Sequence, residues 1–137
     1  MTALTFAAVL QTALLSTGGA KYEEAHQLNV QTGRPLVVLI GAEWCPACKV
    51  MKDSTIPQVA QRGVLSQVAF AQVDADAETA LARKLTGGGG IPQLIMYHQT
   101  AEGWKRDVMI GAKSVDEVET FLRQGLATQT PVLLGSN

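Results

Sequence analysis

Four short segments rich in apolar residues predict the strands of a central sheet. Residues 36–40, Leu-Val-Val-Leu-Ile, form an unbroken branched apolar run, which is typical of a strand buried on both faces. Residues 68–74 alternate in part, which fits a strand beside the first one. Residues 94–97 and 106–110, joined through Ala101-Glu102-Gly103, predict a hairpin. The four segments indicate a sheet of about four strands.

Between these strands, apolar residues recur at the spacing of one helical face, which predicts helices. A helix is expected to stop at Gly33, because glycine readily ends a helix, and Pro46 suits the first position of another. Ser114 and Glu117 fit a capping box that begins a last helix, with Gly125 near its end. The predicted helices lie over residues 21–32, from 46 onward, over 78–85 and over 114–124, with helix or irregular structure at 59–65. This mixture of helices and strands indicates an α/β protein.

Composition and charge indicate a single globular domain and argue against binding to nucleic acid and against a membrane span. The 137 residues fit one domain, and 47% hydrophobic residues suffice for a core, built mainly from aliphatic side chains because only 5% are aromatic. The formal net charge of −1, without a basic run interleaved with aromatics, argues against a nucleic-acid partner. No apolar run approaches the ~20 residues of a membrane helix, so no membrane span is expected.

The only two cysteines lie in Trp44-Cys45-Pro46-Ala47-Cys48, where the first strand runs into a helix. A thiolate is the nucleophile in disulfide exchange, and a helix N-terminus lowers the pKa of a cysteine. We expect Cys45 to be partly exposed at the helix start and to attack a substrate disulfide. Cys48, one helical turn later, would then attack the mixed disulfide and release the product.

Two other interpretations of the cysteine pair remain open. Cys45 and Cys48 could be buried structural thiols, although a C-x-x-C pair in an α/β pattern favours redox chemistry. They could bind zinc with His26 or His98, but neither histidine lies at a zinc-ligand spacing, so no metal is expected.

A glycine-rich segment, Gly87 to Gly90, precedes Ile91-Pro92 at the entrance of the third strand. A proline in that position is a natural site for a cis peptide bond. No Lys-Ser or Lys-Thr follows the glycines, which excludes a phosphate-binding loop of the usual pattern.

The stretch from Ala42 to Lys49, followed by Gly90-Ile91-Pro92 and later by residues 110–114, Ile-Gly-Ala-Lys-Ser, resembles the thioredoxin family over residues 20–126. The resemblance implies a thioredoxin-like fold, with a mixed central β-sheet of about four strands and helices on both faces. It implies a thiol–disulfide oxidoreductase that reduces protein disulfides and needs no cofactor beyond its own redox-active disulfide.

The same resemblance assigns roles to residues beside the dithiol. It implies that Trp44 shields the dithiol and that Pro92 is cis and lies against Cys45. The backbone of Ile91, with Gly90 beside it, would pair with an extended substrate strand. The implied partners are disulfide-containing proteins and an unidentified thiol reductase or oxidant, and the expected state is a monomer.

The chain also departs from the family pattern. Leu39 stands where thioredoxins usually have a buried aspartate, and Gln72 where a lysine is common. Our hypothesis is that Glu43 or water takes the proton of Cys48 instead. Asp53 occupies the place of the helix-kinking proline, which comes later as Pro57, a pattern closer to exported bacterial thiol–disulfide proteins.

These departures keep two alternatives open. One is an exported partner in envelope thiol maintenance or cytochrome maturation, and the other is a non-catalytic thioredoxin-fold binding module. The apolar extension over residues 1–19 resembles a signal peptide but lacks a basic residue before Lys21, so it could equally be a first structural element. A cytoplasmic and a periplasmic location therefore both remain open. Residues 127–137 are expected to form a loose tail.

Overall fold

The computed structural model of the protein describes residues 21–129. The predicted extension over residues 1–19 and residues 130–137 of the predicted tail lie outside the described residues, whereas Ala127 and Thr128, expected in the loose tail, belong to α5. The elements follow in the order α1 Tyr22–Thr32, β1 Leu36–Gly41, α2 Pro46–Val50, a π-helical turn Met51–Thr55, α3 Ile56–Gln61, a 3-10 turn Val64–Gln67, β2 Ala69–Asp74, α4 Thr79–Thr86, β3 Gln93–Thr100, β4 Gly103–Ile110 and α5 Val115–Thr128. No helix among the described residues is both long enough and apolar enough to cross a membrane.

The four strands form one mixed sheet in the order β2-β1-β3-β4. Strand β1 runs parallel to β2, while β3 runs antiparallel to both β1 and β4. In this register Leu39 of β1 lies opposite Gln72 of β2 on one side and Leu94 of β3 on the other. The predicted mixed sheet of four strands is confirmed.

Helices cover both faces of the sheet because β1 sends its side chains alternately to the two sides. Val37 and Leu39 pack with α3 and α5, whereas Val38 and Ile40 pack with α1 and α4. The first layer includes Val59, Val118 and Leu122, and the second includes Ala25, Ala82 and Leu85. All five residues from Leu36 to Ile40 are buried, as the apolar run predicted.

One helical segment runs from the disulfide to Gln61, and a π-helical turn interrupts it. In this turn the Ile56 N–H donates to Met51 O, five residues back instead of four. Pro57 has no N–H to donate, and in a regular helix its ring would clash with the carbonyl of Asp53. The widened turn lies directly before this proline, as is common where a helix adapts to one.

Helix α5 begins as predicted and ends later than predicted. Ser114 Oγ accepts from the Glu117 N–H at 3.1 Å, and the Ser114 N–H donates to Glu117 Oε2 at 2.8 Å, so the capping box is present. The helix then continues through Gly125 to Thr128. Gly125 is buried and faces Met96 of β3. The expected end at about Gln124 is four residues too early, Gly125 lies in the last turn, and its missing side chain lets α5 approach the sheet.

Candidate active site

The two cysteines lie at the junction of β1 and α2 and are joined as a disulfide, with 5.2 Å between their Cα atoms. Cys45 is the residue before the helix, and Pro46 occupies the first helical position, where a missing N–H costs nothing. Cys45 Sγ accepts a hydrogen bond from the Cys48 N–H at 3.2 Å. The sulfur of Cys45 therefore takes the capping place that an oxygen side chain usually fills.

Both cysteines are buried. Cys45 is 6% exposed and Cys48 is 5% exposed. The expectation of a partly exposed Cys45 was therefore wrong for the disulfide form. Ala42, Ala47 and Ile91 pack around the pair, and Ile91 comes from a distant part of the sequence.

The loop before β3 brings the Ile91–Pro92 segment to the disulfide. The Ile91–Pro92 peptide bond is cis, and Pro92 O accepts from the Gly111 N–H at 2.9 Å. Helix α4 ends at Gly87, whose positive φ of 66° suits glycine and turns the chain into this loop. Gly90 lies beside Ile110 of β4. Within residues 21–129, the Ile91 N–H and C=O groups make no backbone hydrogen bond.

Trp44 lies at the surface, 70% exposed, and its indole is held in place by a residue that the sequence analysis missed. The Trp44 Nε1–H donates to Asp76 Oδ2 at 2.9 Å. Trp44 follows β1 and Asp76 follows β2, and the carboxyl ends of parallel strands lie at the same edge of a sheet. The only sequence signal was this placement of Asp76 after a second predicted strand.

A cavity of about 280 Å³ opens beside Cys48. Leu39 and Gln72, which face each other across β1 and β2, lie on its inner side. Glu43 and Lys52 line its solvent side as an ion pair, with 3.4 Å between Oε1 and Nζ. The other lining residues are Gly41, Ala42, Cys48, Lys49, Asp53, Val73, Asp74 and Pro92.

Gly41 keeps this side of Cys48 open. A Cβ atom at position 41 would lie 3.0 Å from Cys48 Cβ and 3.2 Å from Cys48 Sγ, closer than carbon and sulfur atoms normally approach. Cys45 does not line the cavity, whereas Cys48 does. The two cysteines therefore differ in their surroundings although both are buried.

The histidines lie away from the disulfide and in contact with other groups. His26 stacks on Tyr22, with 5.9 Å between ring centroids, and His98 Nε2 lies 2.7 Å from Asp107 Oδ2. Over residues 21–129 no three or more histidine, cysteine, aspartate or glutamate side chains are grouped so as to hold a metal ion.

A disulfide between cysteines three residues apart, at a helix start and beside a cis proline, can open and close with the exchange of two electrons. This arrangement defines a thiol–disulfide exchange site. Residues 19–124 match the Thioredoxin family. The chain belongs to the thioredoxin family and is a thiol–disulfide oxidoreductase.

Individual relatives agree with this assignment. The chain is 33% identical over 113 residues to the thiol:disulfide interchange protein DsbD of Ralstonia nicotianae. The matched region is 80% of this chain but only 18% of that protein. It is 29% identical over 108 residues to the H-type thioredoxin of Chlamydomonas reinhardtii, covering 79% of this chain and 83% of that protein.

A solved structure shares the fold. The thioredoxin from Thermus thermophilus has a TM-score of 0.63 to this chain at 27% identity, over 76% of this chain and 82% of that one. The predicted thioredoxin-like fold is confirmed.

Proposed function

We propose that this protein reduces disulfide bonds in other proteins, with Cys45 as the nucleophile and Cys48 as the resolving thiol. The observation that carries this proposal is the difference between the two sides of the disulfide. Cys45 precedes the helix and directly follows Trp44, which is 70% exposed and available to a large partner, whereas Cys48 lines the cavity. A protein substrate would reach Cys45 first.

The reaction then takes two exchange steps. The Cys45 thiolate attacks one sulfur of the substrate disulfide, forms a mixed disulfide and releases the other substrate sulfur as a thiolate. The Cys48 thiolate next attacks Cys45 Sγ, closes the Cys45–Cys48 bond and releases the second substrate sulfur. The substrate gains two electrons, the protein loses them, and the dithiol serves without a cofactor.

The surface around Cys45 suits an extended substrate segment. The backbone N–H and C=O of Ile91 are available to pair with a substrate strand. Gly90 adds no side chain that would block the approach. Trp44 offers an exposed ring against which an apolar substrate side chain would pack. The protein would act on its substrates as a monomer.

A trapping experiment tests the order of the two cysteines. Cys48→Ser should accumulate mixed disulfides with a protein substrate such as insulin, because the second step is lost. Cys45→Ser is the matched control and should accumulate few or none. Equal trapping by both variants, or trapping by neither, would contradict the proposed roles. A non-catalytic binding module would trap no substrate and would bind equally well without both cysteines.

The reduction potential tests the direction of the reaction. Equilibration against glutathione or dithiothreitol should give a value near about −270 mV, as for thioredoxin. A value above about −200 mV would instead make the protein an oxidant or isomerase.

A second candidate function is exchange with the dithiol of one dedicated partner protein. The 33% identity to a thiol:disulfide interchange protein favours it, although the matched region is 18% of that relative. Such a protein would turn over insulin slowly while exchanging rapidly with its own partner. An exported role in envelope thiol maintenance or cytochrome maturation would belong to this candidate.

A further inference from the structure

The second exchange step requires that Cys48 lose a proton, and among the sheet residues that line the cavity only Asp74, at the end of β2, carries a carboxylate. Leu39 and Gln72, which face Cys48 across the cavity, cannot act as bases. Cys48 is 5% exposed, and a buried thiol ionises less readily than an exposed one. A route for this proton must therefore lead outward.

The cavity beside Cys48 has the size and lining of a water-filled route. Its volume is about 280 Å³, against a share of about 30 Å³ per molecule in liquid water. The amide of Gln72 and the carboxylates around the opening supply the polar partners that ordered water needs. The missing side chain of Gly41 leaves the cavity open up to Cys48.

We propose that the Glu43 carboxylate, positioned by Lys52, accepts the proton of Cys48 through water held in this cavity. This inference rests on the proposed order of the two cysteines. The Glu43–Lys52 ion pair joins the loop after β1 to the π-helical turn and so spans the solvent side of the cavity. The Glu43 side chain is 72% exposed, so solvent can take up the proton after each turnover.

The other charged groups around the cavity are less suited to this role. Asp74 of β2 accepts hydrogen bonds through Oδ1 from the N–H groups of Asp76 and Ala77, at 2.8 and 3.3 Å. Lys49 of α2, like Lys52, is a cationic side chain that favours a nearby thiolate and is not a base for its proton. Asp53 of the π-helical turn is a competing carboxylate without such backbone hydrogen bonds within residues 21–129, and it provides a matched control.

The Cys48 S–H bond breaks, its proton passes to cavity water, and that water gives a proton to Glu43. The sulfur electron pair forms the Cys45–Cys48 bond while the Cys45–substrate bond breaks. The departing substrate thiolate takes a proton from solvent.

Single-turnover reaction with the aromatic disulfide 5,5′-dithiobis(2-nitrobenzoate) separates the two steps. With reduced protein in excess, attack by Cys45 releases the first coloured thiolate at a rate that rises with protein concentration. Attack by Cys48 releases the second at a rate that does not. Stopped-flow absorbance from about pH 5 to 9 therefore gives a pH profile for each step.

Glu43→Gln should slow the second phase by at least about tenfold near pH 7, because a positioned base contributes on the order of a hundredfold or more. The first phase should remain within about twofold. Asp53→Asn should leave both phases within about twofold. A slow second phase in Asp53→Asn with a normal one in Glu43→Gln, or normal second phases in both, would overturn the assignment to Glu43.

A slower second phase in Glu43→Gln could not be explained by the loss of the Glu43 charge alone. Loss of a negative charge near a thiol makes that thiol easier to ionise, so the charge effect alone would speed the second phase in Glu43→Gln. Adding Gln72→Glu to Glu43→Gln places a carboxylate on the cavity wall and should restore at least half of the lost rate. Failure of this rescue would count against a route through the cavity. Absence of the first phase would instead contradict the role of Cys45, which separates the two proposals.

Discussion

Replacing Gly125 by alanine tests the packing of α5 on the sheet, because two effects of opposite sign compete there. In the interior of a helix alanine is favoured over glycine by about 1 kcal/mol. At this position, however, the new Cβ would lie 2.6 Å from Met96 Cε and would also overlap Met96 Sδ. Carbon atoms in contact are normally about 3.5–4.0 Å apart.

The packing cost should win over the helix preference. Met96 is fully buried, so its side chain can move away only by displacing its neighbours in the core. Overpacking of this kind typically costs about 1–3 kcal/mol. After subtraction of the helix preference, Gly125→Ala should lower the free energy of unfolding by about 1 kcal/mol.

Equilibrium unfolding of the oxidised protein in urea measures this difference. With a slope of about 2 kcal/mol per molar urea, the midpoint should fall by about 0.5 M. In a Met96→Ala background the space is free, so adding Gly125→Ala should be neutral or stabilising. Gly125→Ala as stable as the parent protein, or equally harmful in both backgrounds, would refute the reasoning.

Three further variants test other contacts. Asp76→Ala removes the carboxylate that accepts the hydrogen bond of the Trp44 indole, so the fluorescence anisotropy of Trp44 should fall. The free energy of unfolding should change by less than about 0.5 kcal/mol, because the position is exposed. Unchanged anisotropy would mean that the hydrogen bond does not restrain the ring. Ser114→Ala should lower the free energy of unfolding by about 1 kcal/mol near neutral pH. Hydrogen bonds from the Ser114 backbone N–H, and secondly from its hydroxyl, hold the pKa of Glu117 below its usual value, so the stability that they add is present above that usual value and is lost as pH falls through the lowered one. Ser114→Ala removes only the hydroxyl contribution, so urea unfolding between about pH 3 and 7 should show a slightly weaker pH dependence than in the parent. Leu122→Ala, at a fully buried site, should cost about 2–5 kcal/mol in the same urea assay, and a loss below about 1 kcal/mol would show that the surrounding layer repacks.

Features set by neighbouring residues could be predicted from the sequence. The run of five apolar residues in β1 indicated burial on both faces, and Ser114 with Glu117 indicated a capping box, because these signals lie within a few residues of one another. The resemblance to thioredoxins added the fold and the kind of chemistry.

Features set by distant contacts could not be predicted in this way. The burial of Cys45 depends on Ile91, which reaches the disulfide only through the loop before β3. The contact between Trp44 and Asp76 requires the pairing of β1 with β2. The local pattern around Gly125 indicates the last turn of a helix but does not show that Met96 packs on the same spot.

The end of α5 determines where further groups can be attached to this protein. The Gln129 side chain donates to Gly33 O at 2.5 Å, just before β1 begins, whereas the disulfide follows the other end of β1. Six residues of strand, about 20 Å, separate these two points. A dye, an affinity handle or a surface linker placed after Gln129 would leave from the end of the sheet remote from Cys45, so the protein could be immobilised there with its reactive face turned toward solution.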